Sequence, residues 1–334
     1  MTTRIYLDHA ATTPMLPQAT AAVVDGMTRW ANPSSPHAEG RAARRALEDA
    51  RARIATALGW DGEVILTSGA SEALAIALNG HDVVATTVEH DAVLRVAGKE
   101  RISVGCDGLI DLSTVPKGRR VAVQSVNSET GVRQPLAKAA ARAGVLVADC
   151  SQSAGKLPLP PADLIIVSAH KLGGPPGISA LLVRDLSLLR PMGGQEQGYR
   201  GGTENLPGAL GFAAALEAPR DWFERAAELR NELDRVVREH GGEIIADASP
   251  RIATIAAYRM PGRSAAAQLM RLDSAGFAVS AGSACSSGTL KTSHVLTAMG
   301  IDAKAASEVI RVSFGWTTTA QEVERFAAAW KVMA

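Results

Sequence analysis

Short apolar runs that recur between longer segments of helical period constrain this chain more than any other feature. Residues 63–67 (EVILT) read as a strand buried on both faces, and residues 83–87, 121–126, 145–149, 164–168 and 180–183 read likewise. Segments 41–58, 71–78 and 136–143 lie between them and carry the period of helices. Strand and helix alternating at this spacing predict a mostly parallel sheet covered by helices. Unbroken apolar strands agree with that, because such a sheet is covered on both sides.

After about residue 205 the pattern changes. Two long helices (206–217 and 221–240) precede short strands at 243–245 and 254–258, a helix at 265–275, strand pieces near Ala278 and at 310–314, and a last helix at 320–332. This predicts a smaller α+β lobe. A chain of 334 residues is long enough for two lobes. We divide it into a large α/β domain over 15–215 and a small α+β domain built from 1–14 and 216–334.

Composition excludes several classes. The formal charge is +1, so no electrostatic footprint for nucleic acid or an anionic membrane exists. No apolar run approaches the roughly 18 residues of a membrane span, and the N-terminus carries no signal-peptide core. The three cysteines, Cys106, Cys150 and Cys285, are too few for a disulfide framework and suit a reducing cytoplasm.

Four places carry chemistry-bearing residues. Thr67-Ser68-Gly69-Ala70-Ser71-Glu72 stands where a strand turns into a helix. It reads either as a phosphate cradle at a helix N-terminus or as an ordinary N-cap. Asp149 ends an apolar strand, at the edge where open α/β sheets bind ligands. Its alternative is a solvated loop residue. Lys171, in Ser168-Ala169-His170-Lys171, closes the next strand, and a lysine beside an apolar site can act as a nucleophilic amine. The alternative is a surface lysine. An anion cradle, an Asp and a strand-end Lys together are the parts of a pyridoxal phosphate site. Cys285, amid Ser280-Ala-Gly-Ser-Ala-Cys-Ser-Ser-Gly288, is the best candidate for a reactive thiol, since its neighbours can hardly pack in a core. Weaker signals come from His90, Asn127, Ser128, Glu129 and Gln152, each just beyond a strand. His37-Ala38-Glu39 reads as helix-start chemistry, not as a metal pair, because no third ligand stands at suitable spacing.

Taken together these residues resemble the cysteine desulfurases of the NifS/IscS group, in the class V aminotransferase family of fold-type I pyridoxal phosphate enzymes. The likeness runs through Tyr6-Leu-Asp-His-Ala-Ala-Thr-Thr-Pro14, Asn32-Pro-Ser-Ser-Pro-His37, Thr67 to Glu72, Glu89-His90, Asn127-Ser-Glu-Thr-Gly131, Asp149 to Gln152, His170-Lys171, Arg200-Gly-Gly-Thr-Glu-Asn205, Ser283-Ala-Cys-Ser286 and Ile310-Arg311. It implies a large, mostly parallel, seven-stranded-type sheet domain plus a smaller α+β domain. It also implies roles. Lys171 would form the Schiff base and shuttle protons, with His90 stacked on the ring. Asp149 would pair with the pyridine nitrogen and Gln152 would reach the ring hydroxyl. Ala70, Ser71, Ser168 and His170 would hold the phosphate, and Thr203 would contact the phosphate of the other subunit of a homodimer. Arg311, with Asn32, would bind the substrate carboxylate. Cys285 would take the sulfur of L-cysteine as a persulfide, leaving alanine, for a sulfur-acceptor protein in iron–sulfur cluster or thio-cofactor synthesis.

The chain departs from its relatives in three ways. Ser128 stands where most have Asn, so any bond from it to the cofactor oxygen has a shorter reach. Pro176 stands where a lysine is usual. The stretch between His90 and Asn127 is trimmed, and the sequence stops at Ala334 without the tail through which some relatives dock an iron–sulfur scaffold. A selenocysteine lyase, another class V lyase or aminotransferase, or a non-catalytic binding subunit are the alternatives on the same fold.

Overall fold

A computed structural model describes residues 4–282 and 292–334. The described chain contains twelve strands. They are β1 (Ile5–Tyr6), β2 (Glu63–Thr67), β3 (Val83–Thr86), β4 (Arg101–Ile102), β5 (Arg120–Gln124), β6 (Val145–Asp149), β7 (Leu164–Ser168), β8 (Ser179–Val183), β9 (Glu243–Ile244), β10 (Ile255–Arg259), β11 (Phe277–Ala278) and β12 (Val309–Ser313). Seven of them form one sheet in the order β2-β8-β7-β6-β5-β3-β4. All its neighbours pair in parallel except β8, which runs antiparallel to both β2 and β7.

Every residue of β3, β5, β7 and β8 is buried, which is why these strands read as unbroken apolar runs. One face of the sheet packs under helices Ala38–Leu58 and Leu206–Glu217 through Leu47, Ile54, Val123, Ile165 and Phe212. The other packs under helix Ala70–Leu78 through Leu74, Ile76, Ala122 and Ile166. Helix Ala38–Leu58 starts on His37, whose ring accepts a hydrogen bond from Gly40 N, and ends on Gly59 at φ 64°, in the left-handed region that favours glycine.

A second core gathers β1, β9, β10, β11 and β12. There β9, β10 and β12 form an antiparallel sheet, and β1 pairs in parallel with β11. Tyr258, Phe277, Phe326 and Trp330 fill it. The closing helix, Ala320–Met333, begins with a capping box between Thr319 and Glu322. Residues 5–8 therefore join elements far along the chain: Leu7 N donates to Ala278 O, and Ser313 N donates to Leu7 O.

Several boundaries differ from those predicted. The strand predicted over 121–126 stops at Gln124, since Val126 leaves the sheet to pack with Ala10, Ile252 and Ile255. The helix predicted over 136–143 spans Leu136–Ala140. Helix Pro17–Thr28 and the two-residue strands β1, β4 and β11 carry too little periodic signal to be delimited from sequence.

Candidate functional site

Strands β3, β5, β6 and β7 all end on one side of the sheet, and their outgoing turns enclose a cavity of about 490 Å³. Ala70, Ser71, His90, Ser128, Asp149, Gln152, Ser168, His170, Lys171 and Arg311 line it. Asp149 and Lys171 meet there because β6 and β7 are parallel neighbours, with Asp149 in register with Ile166. Each turn then carries its side chain over the same carboxyl edge.

Lys171 ends a short 3-10 turn, Ala169–Lys171, and its Nζ donates to the carbonyls of Ala10 and Ala11 at 2.7 Å each. Gln152 is buried; its Nε2 donates to Ala10 O at 2.9 Å, while its Oε1 has no partner. Asp149 is half-buried, and its Oδ1 accepts from Ser151 N at 2.9 Å. Beside it, the Ser151 hydroxyl is also buried and unpartnered. These open polar groups in one apolar-walled cavity are places for a polar ligand to bond.

Helix Ala70–Leu78 aims its N-terminus at the cavity. Its N-cap is Gly69, with no side-chain cap, so no side chain occupies the helix N-terminus as an ordinary polar N-cap would. A Cβ placed on Gly69 would meet nothing within 4 Å. The cradle is thus open, and its free N–H groups suit an anion. Glu72 Oε2 accepts from Ser68 N at 2.5 Å and from Arg200 Nε at 3.1 Å, tying the cradle to the glycine-rich segment 193–203.

His170 Nδ1 lies 3.1 Å from Thr12 Oγ1, and burial, with the Lys171 charge, pushes its ring down to about 4. It is therefore a neutral hydrogen-bonding group at physiological pH. The carboxyl of Glu89 goes the other way: complete burial raises it to about 8, against the opposing bonds from Thr86 Oγ1 at 2.7 Å and Gln124 N at 2.8 Å. Arg311 Nη2 donates to Asp8 Oδ1 at 2.7 Å and Nη1 to Ser128 O at 3.0 Å, which fixes the guanidinium from β12 against the cavity wall. Ser128 thus takes part through its carbonyl.

Two of the named residues lie elsewhere. Asn32 is exposed and outside the cavity; its Oδ1 accepts from Ser34 N at 2.8 Å. Thr203 is exposed at the end of the glycine-rich segment and does not line the cavity of its own chain. Cys285 lies outside the described residues. Cys106 is exposed, and Cys150 is buried, with its thiol pushed up to about 12 by that burial, so it is inert at neutral pH.

Sequence reasoning missed His294. It lines the cavity, and its Nε2 donates to Glu89 O at 2.9 Å, while Ser293 Oγ donates to the buried Glu129 Oε2 at 2.5 Å. Nothing local marks this histidine, since it stands at a helix start rather than beyond a strand. Among the described residues no group of three or more His, Cys, Asp or Glu is placed to hold a metal ion, and no helix is long and apolar enough to cross a membrane.

Comparisons with known proteins point one way. A cysteine desulfurase of Cereibacter sphaeroides is 35% identical over 96% of this chain and 93% of its own length. A NifS-like protein of Rickettsia africae superposes with a TM-score of 0.91 at 28% identity, over 99% of both chains. The structure of SspA in complex with cysteine superposes with a TM-score of 0.81 at 27% identity, covering 93% of this chain and 98% of that one. The aminotransferase class-V pattern matches residues 5–326, which with this fold and these relatives makes the chain a member of the class-V aminotransferase family.

Proposed function

We propose that this protein is a pyridoxal phosphate-dependent cysteine desulfurase, which converts L-cysteine to L-alanine and carries the released sulfur as a persulfide on Cys285. The observation that carries the reading is the convergence of Lys171, Asp149, Gln152 and an uncapped helix N-terminus on one cavity. The side chains fit the cofactor. The unpartnered Gln152 Oε1 and Ser151 Oγ are polar atoms awaiting a ligand, and the open cradle at Gly69 accepts a phosphate.

When bound, pyridoxal phosphate supplies an electron sink for the α-carbon of an amino acid. The chain's own groups do the rest. Asp149 holds the ring nitrogen protonated, and Ala70, Ser71, Ser168 and His170 anchor the phosphate. Lys171 Nζ holds the cofactor and moves protons at the α-carbon. His90 would hold the cofactor ring, and Arg311 would orient the substrate carboxylate, a charge-assisted pairing that a guanidinium suits. The Cys285 thiol takes the substrate sulfur, so cysteine plus enzyme thiol gives alanine plus enzyme persulfide. The persulfide then passes to a protein acceptor for iron–sulfur or thio-cofactor assembly. The protein acts in the cytoplasm as a homodimer in which Thr203 completes the neighbouring site.

Cys285→Ala tests this directly. The purified variant should keep the visible absorbance of bound cofactor and lose sulfide and persulfide formation from L-cysteine. Unchanged cysteine turnover in that variant would overturn the proposal.

A further inference from the structure

His294 opens the short helix His294–Ala298, lines the cavity and has one ring nitrogen to spare. Its Nε2 lies 2.9 Å from Glu89 O. A carbonyl only accepts, so Nε2 carries the proton, and in the neutral ring Nδ1 keeps a lone pair. Among the described residues nothing bonds Nδ1, and the atom is not shut away from solvent. A histidine that served only to pin this helix to the turn after β3 would need no more than the Nε2 bond.

One turn ties His294 to Arg311. Arg311 Nη1 donates to Ser128 O at 3.0 Å, and Ser293 Oγ donates to the buried Glu129 Oε2 at 2.5 Å. Consecutive residues beyond β5 are thus gripped by Arg311 from β12 and by the residue that precedes His294. Ser128 O and Asp8 Oδ1 are taken up by the guanidinium, and Glu129 Oε2 by Ser293. His294 Nδ1 is left with a lone pair and no donor. Val88, Val126 and Val295 share the lining, and in such an apolar wall a placed polar atom fixes a ligand's orientation. An α-amino acid whose carboxylate meets Arg311 carries its side chain on the very next carbon, so its β-substituent stays close to the guanidinium and to the groups beside it.

We propose that His294 is a specificity-determining residue: its Nδ1 accepts a hydrogen bond from the thiol of a substrate held by Arg311, and so favours L-cysteine over the product L-alanine, which lacks that group. The inference rests on the reading of the cavity as a desulfurase site. A thiol is a weak donor, so the preference is modest. It serves turnover, because alanine has nothing with which to hold the ring.

The test is an absorbance titration of the cofactor-loaded Cys285→Ala protein, which binds cysteine without consuming it, with L-cysteine and with L-alanine. His294→Gln keeps a donor for Glu89 O and gives up the acceptor on Cγ. His294→Asn keeps an acceptor on Cγ and gives up the Glu89 bond. The Gln variant should bind L-cysteine roughly 3- to 10-fold more weakly, the scale of one hydrogen bond, with L-alanine unchanged. The Asn variant should keep the cysteine-to-alanine ratio of the parent. His294→Phe fills the ring's space without a nitrogen and should behave as Gln does; it serves if the Gln variant does not fold. A ratio unmoved in His294→Gln, or lost to the same extent in the Asn variant, makes His294 structural and overturns the inference alone. A Cys285→Ala protein whose spectrum responds to neither amino acid, or which still consumes L-cysteine, overturns the desulfurase reading beneath it.

Discussion

The glycine-rich segment that ends at Thr203 is held in place by a buried ion pair, and breaking that pair should be costly. Glu196 accepts from Arg51 Nη1 at 2.5 Å and Nη2 at 3.0 Å, and also from Leu66 N at 2.8 Å. The carboxylate side chain is 1% exposed and the guanidinium 14%. Glu196 and Gln197 are non-glycine residues at φ 50° and 57°, a left-handed pair that persists only where the surroundings over-determine it. Arg51→Met removes the cation and leaves Glu196 buried and uncompensated. Loss of one partner of such a pair costs about 3–5 kcal/mol. Because unfolding entropy is about 2.1 cal/mol/K per residue, this corresponds to a melting temperature roughly 4–7 °C lower. Glu196→Gln on the Arg51→Met background removes the stranded charge but keeps an acceptor for Leu66 N. The double variant should therefore recover about 1.5–3 kcal/mol relative to additivity, the worth of a charged hydrogen bond. Thermal unfolding of the four proteins closes the cycle. Additive losses, or a shift under 1 °C for Arg51→Met, would refute the account of Glu196 as the anchor of this segment.

Two further outcomes follow from the cavity. Glu89 takes up its proton more readily folded than unfolded, because complete burial raises its folded value to about 8, far above that of a solvated glutamate. Its contribution therefore falls as pH rises through that window, at up to roughly 1.4 kcal/mol per pH unit. Glu89→Gln should gain thermal stability over the unaltered protein at pH 8.5 and not at pH 4.5; an equal effect at both would contradict a protonated buried carboxyl. Arg311→Lys cannot span both Asp8 Oδ1 and Ser128 O as the fork does. It should raise the KM for L-cysteine by roughly 10–100-fold with a smaller change in kcat, the scale of one lost charge-assisted bond. Steady-state kinetics with an unchanged KM would remove Arg311 from substrate binding.

Legibility differed by element for physical reasons. β5, β6, β7 and β8 were readable because burial on both faces demands unbroken apolar runs. The antiparallel course of β8 leaves no mark in its apolar run; it follows from the connection over 169–178, which is too short for a crossover helix and so forces a reversal. At residues 67–72 the sequence leaves an anion cradle and an ordinary N-cap equally readable, and only the helix's observed start at an uncapped Gly69 decides between them. His294 is not legible because its place is set by the Glu89 carbonyl, distant in sequence, and not by local spacing.

The α/β alternation, the strand-end positions of Asp149 and Lys171, and the resemblance that those residues carry are all legible from the amino-acid order. Local pattern is enough there, because solvent exclusion writes strands and helices into apolar period. Tertiary structure alone decided the cavity. Only parallel pairing of β6 with β7 brings Asp149 and Lys171 to one edge. Only the return of residues 5–8 onto β12 puts Asp8 on Arg311 and sets the Ala10 carbonyl between Gln152 and Lys171. Such contacts join residues more than 140 positions apart, and no local propensity can encode them.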